Sequence, residues 1–150
     1  MIHFNSEDHG RQIMKAAGAD FSPRLMSVIS RSENGVLYGG VVYENYTGKN
    51  GSLLVHIAGF HRRWINRDLL WVIFDYPFRQ LDCKQAFAQV RAKEKHTLKF
   101  CLSFGWKEVI TLEGVFPDDD MILLRMLRDE CRFLNLKPRK LQPRRTPKDG

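Results

Sequence analysis

Asn34-Gly35 stands between two β-rich runs, LMSVISR (25–31) and VLYGGVVYENY (36–46), and no other local feature limits the fold as strongly. An Asn-Gly pair accepts the positive φ angles of a type I′ turn, whose twist matches the strands it joins. The two runs therefore read as an antiparallel hairpin. A second turn, TGKNG (47–51), returns the chain into SLLVHIAGF (52–60) and completes a three-stranded meander.

The apolar period then switches. Leu69, Leu70, Val72, Ile73, Tyr76 and Leu81 recur at helical spacing and predict a helix over 65–81. Pro77 lies late in it, where its ring excludes the carbonyl four residues back and loosens the last turn. CKQAFAQV (83–90) reads as a strand. KEKHTLKFCLSF (93–104) reads as a helix with Leu98, Cys101 and Leu102 on one face, stopped by Gly105. WKEVITL and MILLRML are predicted strands on either side of EGVFPDDD, a predicted loop, and DECRFLN a last helical turn. Ahead of the meander, 2–5 is a short strand. Ser6 caps a helix to Ala17, with Glu7 and Asp8 in the first turn, where the dipole favours acids. The fold class expected is α/β in the broad sense: a mixed α+β sheet with helices on its faces.

With 150 residues the chain fits one domain. Its net charge of +7 is uneven. Residues 132–150 carry seven Lys and Arg against Asp149, leaving 17 basic and 16 acidic residues for 1–131. The expected organisation is thus a domain over 1–131 and a basic, proline-containing, disordered tail over 132–150. The tail could keep the domain near nucleic acid through salt-dependent phosphate contacts, or simply solubilise it. No apolar run approaches a membrane span, and MIHFNSEDHG lacks signal-peptide regions, so no membrane partner is expected. Cys83, Cys101 and Cys131 are an odd number without CxxC spacing, which reads as reduced thiols in a cytoplasmic protein. The Asp run at 118–120 reads as a solvated turn, and no metal is expected. Nothing decides between monomer and homodimer.

The element order, with IAGFHRRWINRDLL (57–70) at its centre and KEKHTLKFCLSFGWKEV (93–109) near its end, resembles the GNAT family of N-acetyltransferases over roughly residues 1–127. The second segment carries the most specific part, with Phe100, Phe104, Gly105, Trp106, Lys107 and Glu108 in the family pattern. The overall shape resembles small GNAT-like proteins of bacterial viruses. The resemblance implies that the strand ending near Gly59 and the strand 83–90 splay apart, and that acetyl-CoA inserts its pantetheine arm between them. It places cofactor contacts at Ile57, Ala58, Gly59, Arg62, Arg63, Trp64, Asn66, Arg67, Glu94 and Phe100. A backbone N–H of Ile57 or Ala58 would serve the thioester oxygen.

The likeness is broken at two places. The family loop carries two spaced glycines where Trp64 and Asn66 stand here. Glycines permit positive φ and close backbone approach to a pyrophosphate. Asn66 keeps some of that freedom and is a good N-cap, whereas Trp64 keeps none. Arg62, Arg63 and Arg67 could hold phosphate by side chain instead. The competing reading is a solvated basic turn with Trp64 anchored in the core. The second break is Cys101, where the family's acid is a tyrosine. A thiol can donate a proton to a departing thiolate, but it also favours burial. Glu94 stands where the family has Asn. For the base, His56 and Glu44 are the candidates, with His61 and His96 behind them. The function implied is acetyl transfer from acetyl-CoA to a primary amine by direct attack. Against it stands a non-catalytic GNAT-like protein binding a host protein or nucleic acid, or a modifier of DNA bases.

Overall fold

The computed structural model describes residues 1–141. Seven strands, β1 (Ile2–Phe4), β2 (Ser27–Glu33), β3 (Val36–Glu44), β4 (Ser52–Gly59), β5 (Gln85–Arg91), β6 (Lys107–Phe116) and β7 (Asp119–Leu127), form one sheet in the order β1-β2-β3-β4-β5-β7-β6. Three helices pack on it: α1 (Glu7–Ala17), α2 (Arg67–Asp75) and α3 (Lys95–Ser103).

The local signals act as their chemistry requires. Ser6 accepts from the His9 amide at the start of α1, and Gly18 ends that helix at φ +80°. Asn34 and Gly35 take φ +51° and +77°, closing the β2–β3 hairpin. Pro77 has no N–H for the Ile73 carbonyl. After Asp75 the helix widens into a single π turn, Tyr76–Gln80, and the Tyr43 hydroxyl donates to the Ile73 carbonyl at 2.6 Å.

Element ends shift by a residue or two throughout, and two differences from the sequence reading are larger. EGVFPDDD is mostly strand: β6 runs to Phe116 and β7 starts at Asp119. Gly114, at φ +65° and donating to Asp120 Oδ1, absorbs a break in register inside the hairpin. The tail expected to be disordered from Arg132 is built as far as Leu141. Residues Arg132–Asn135 form a 3-10 turn that places Phe133 between Phe74 and Phe104, at 5.2 and 5.5 Å between ring centres. Beyond it, Asp68 of α2 accepts the amides of Arg139, Lys140 and Leu141, and Arg67 Nε donates to the Lys137 carbonyl at 2.6 Å. The rest of the expected tail lies outside the described residues.

Among the described residues β4 and β5 are the only parallel neighbours, and their ladder is short. It holds from Ser52–Gln85 to Val55–Ala88 and then stops, although β4 continues to Gly59 and β5 to Arg91. The strands splay. One face of the sheet is covered by α1 through Ile13 and Met14 against Val28, Val42 and Ala58. The other carries the larger core, with Val41, Val55, Leu69, Phe74 and Leu124 under α2 and α3. No helix among the described residues is long and apolar enough to cross a membrane.

Candidate active site

The splay opens onto a cleft of about 630 Å³ on the α2–α3 face. Ile57 and Gly59 of β4, Phe60, His61, Arg62, Trp64 and Ile65 of the following loop, and His96, Thr97, Phe100 and Phe104 of α3 line it. Past Val55 the edge of β4 toward β5 has no strand partner, so the backbone at Ile57 and Ala58 stands beside the gap.

The loop is a locked turn. Phe60 and His61 amides both donate to the Tyr38 carbonyl, the Trp64 amide to the His61 carbonyl, and the Arg63 amide to His61 Nδ1. Arg31 reaches across from β2 and donates to the carbonyls of Arg63 and Trp64 at 2.7 and 3.0 Å. Its guanidinium covers Tyr38, which stacks on His61 at 4.1 Å. Trp64 lies over the paired glycines Gly39 and Gly59, where an added Cβ would come within 2.6 and 2.3 Å of the indole. The ring is 7% exposed and sits 5.4 Å from Phe100. Trp64 therefore walls the cleft and leaves it open.

This corrects the expected cradle. Four consecutive-region amides, at residues 60, 61, 63 and 64, already have protein acceptors, so a backbone nest is not available there. Arg62 does line the cleft, with His61 and His96 beside it. A pyrophosphate at this cleft would have to be held by side chains, and Arg62, His61 and His96 are of the right chemistry for an anion.

Of the other expected contacts, Asn66 caps α2, accepting from the Leu69 amide at 2.8 Å, and Arg67 turns to the Lys137 carbonyl. Ala58 points its side chain to the α1 face. Arg63 and Glu94 are exposed and do not line the cleft. Cys101 is fully buried, packs in the core rather than on the cleft, and burial pushes its thiol up to about 12. It is not presented as an acid. His61, His96 and Phe104, ranked low or unassigned from the sequence, are cleft residues.

On the other face the sequence pair holds together. Val42 opposes His56 and Glu44 opposes Leu54, so Glu44 and His56 are diagonal neighbours. His56 Nε2 lies 3.3 Å from Glu44 Oε2, within ion-pair reach but without hydrogen-bond geometry. Burial drives the His56 pKa down, and the Glu44 charge only partly opposes this, so the ring is neutral near pH 7. The Glu44 side chain is 20% exposed and connects the pair to solvent.

No protein-family model matches the sequence. No curated protein does either. Solved structures do. Mutant forms of the spermidine/spermine N-acetyltransferase SpeG from Vibrio cholerae align with 86% of this chain and 95% of theirs, at 16% identity and TM-score 0.63. Arabidopsis thaliana NAA60, in complex with a bisubstrate analogue, aligns with 85% and 98%, at 12% identity and TM-score 0.62. A GNAT-family acetyltransferase from Bacillus anthracis aligns with 84% and 87%, at 11% identity and TM-score 0.58. A seven-stranded sheet splayed between its fourth and fifth strands, with a helix entering from the basic loop after the fourth, is the GNAT acetyltransferase fold, and this chain has it.

Proposed function

We propose that the protein is an acetyl-CoA-dependent N-acetyltransferase acting on a primary amine by direct attack. The observation that carries this is the unpaired edge of β4 beyond Val55, opening onto a cleft with Arg62, His61 and His96 at its mouth. Acetyl-CoA, when bound, supplies an activated acetyl thioester. Arg62 would hold its phosphates, Trp64 and Phe100 would hold its arm, and an N–H of Ile57 or Ala58 would receive charge on the carbonyl oxygen. Neutral His56, coupled to Glu44, would take the proton from the amine directly or through water. The three thiols support direct attack over a covalent acetyl-enzyme: all are buried, and burial raises Cys83 to about 11 and Cys101 to about 12.

Release of free thiol from acetyl-CoA that depends on an added amine tests the assignment. Amine-dependent turnover is expected, falling about 100-fold in His56→Gln. A second reading, a GNAT-like fold that has given up catalysis and binds a host protein or nucleic acid, draws on Trp64 and the occupied loop amides. Tight binding of CoA without turnover on any amine would favour it.

A further inference from the structure

The cofactor cleft and the His56–Glu44 pair lie on opposite faces of the sheet. If the thioester enters from the α2–α3 side, the amine must arrive from the α1 side, where His56 is. On that side α1 packs mainly against β2, β3 and β4. Among the described residues the β5–β7–β6 half beyond it has no helix over it. Register places Phe87 and Gln89 of β5, Leu123 and Arg125 of β7, and Ile110 and Leu112 of β6 on this bare face. Its centre is apolar, with Ile110 49% and Leu112 40% exposed.

Arg91 closes one end of that face. It is the last residue of β5 and points the same way as Phe87 and Gln89. Its guanidinium is held on two sides. A Cβ on Gly18, at the end of α1, would meet Arg91 Nε at 3.0 Å, and the Phe116 ring of the β6–β7 hairpin lies 4.3 Å from Arg91 Cζ. Among the described residues its Nε is buried with no acceptor, and its nearest acid, Asp118, stands 3.9 Å from Nη2 on a side chain that is 69% exposed. A guanidinium fixed between two elements, on a side chain that is 29% exposed and whose Nη2 has only a distant acid, can present its Nη edge to a planar anion such as a carboxylate. The Val55–Ala88 pair is the last of the ladder, so His56 and Gln89 start the splay at one level. Arg91 is two residues further, about 7 Å along the strand. That span suits a short acceptor.

We infer, on the acetyltransferase reading above, that the acceptor is a small primary amine that also bears a carboxylate, an apolar amino acid in its simplest form, with Arg91 as the residue that selects it. The amine faces His56 and Glu44, the carboxylate meets Arg91, and the apolar body lies on Phe87, Leu123 and Ile110. Polycationic amines are disfavoured by the positive charge of Arg91 and of exposed Arg125 on the same face.

Calorimetric titration of the full chain, alone and with CoA, uses three matched probes: phenylalanine, phenylalaninamide and phenethylamine, with spermidine as the polycation. Phenylalanine is expected to bind about ten-fold or more tighter than either probe lacking the carboxylate. Arg91→Gln should erase that preference and leave phenethylamine unchanged. Arg91→Lys, which keeps the charge and loses the fork, should retain part of it, and melting curves establish that both variants fold. Equal affinity for the three probes, no binding of phenylalanine at millimolar concentration, or an Arg91→Gln variant that still prefers phenylalanine overturns the inference. CoA binding in the same titrations reports on the transferase reading independently of all three.

Discussion

His56 has its folded pKa below the unfolded value of about 6.5, because burial outweighs the neighbouring carboxylate. Between those two pKa values the unfolded chain binds more protons, so stability falls as pH drops from about 6.5 toward the folded value. Denaturant melts at pH 7.5 and 5.5 should show this loss, and His56→Gln should flatten it. If the two proteins lose stability in parallel, the ring is not buried as described. Activity should fall only at lower pH, around and below the folded value, where the ring in the folded protein itself takes a proton. His56 and Glu44 were legible in the sequence because the Asn34-Gly35 turn and the following turn fix the β2–β3–β4 register, and period two then fixes the shared face. Arg91 was not legible. Its neighbours Gly18 and Phe116 are brought to it by the packing of α1 and by the β6–β7 hairpin, and neither leaves a mark near residue 91. Cys101 was misleading for a related reason: the motif supplied its position along α3, but only packing decides which side of that helix meets the cleft.

At the scale of elements, α2 and the loop before it form one unit with the meander. The Tyr43 hydroxyl takes the Ile73 carbonyl that Pro77 leaves without a donor, so Tyr43→Phe should cost about 1–2 kcal/mol, measured by chemical denaturation. Pro77→Ala in the Tyr43→Phe background should recover part of it by restoring the helical N–H. A Tyr43→Phe protein as stable as the parent would show that water serves the carbonyl equally well. Trp64 and the Gly39–Gly59 pair are one contact written in three places. Gly59→Ala would displace the indole from its seat and should lower both the melting temperature and the affinity for CoA, since Trp64 is the cleft wall. The sequence offered the existence and type of nearly every element, because capping, turn and period signals are local. It could not offer the seating of Trp64 on two glycines from neighbouring strands, one of them 25 residues upstream, or the grip of Arg31 on the loop carbonyls. Those are properties of a sheet already assembled. The same limit explains EGVFPDDD: Gly, Pro and Asp announce a turn, but Gly114 enters the strand as an irregularity that the hairpin tolerates.

For the whole molecule, the C-terminal segment is a structural part of the domain at least to Leu141. It crosses α2 with Phe133 against Phe74 and delivers three amides to the Asp68 carboxylate, whose folded pKa is held down despite burial. Ending the chain after Leu136 leaves a buried carboxylate without those donors and should cost about 1–3 kcal/mol, a drop of several degrees in melting temperature. Asp68→Ala in the full chain should reproduce much of that loss. The sequence reading missed this because three prolines and a run of basic residues look like unstructured chain, and the acid they need lies about 70 positions earlier. The proposed function depends above all on whether the gap between β4 and β5 receives a CoA molecule whose phosphates are held by the Arg62 side chain instead of by loop amides. Isothermal titration of CoA into the protein and into Arg62→Ala, at low and moderate salt, measures it directly. Micromolar binding that weakens about ten-fold in the variant and with added salt is predicted. No heat of binding at millimolar CoA, or binding indifferent to Arg62 and to salt, would contradict it.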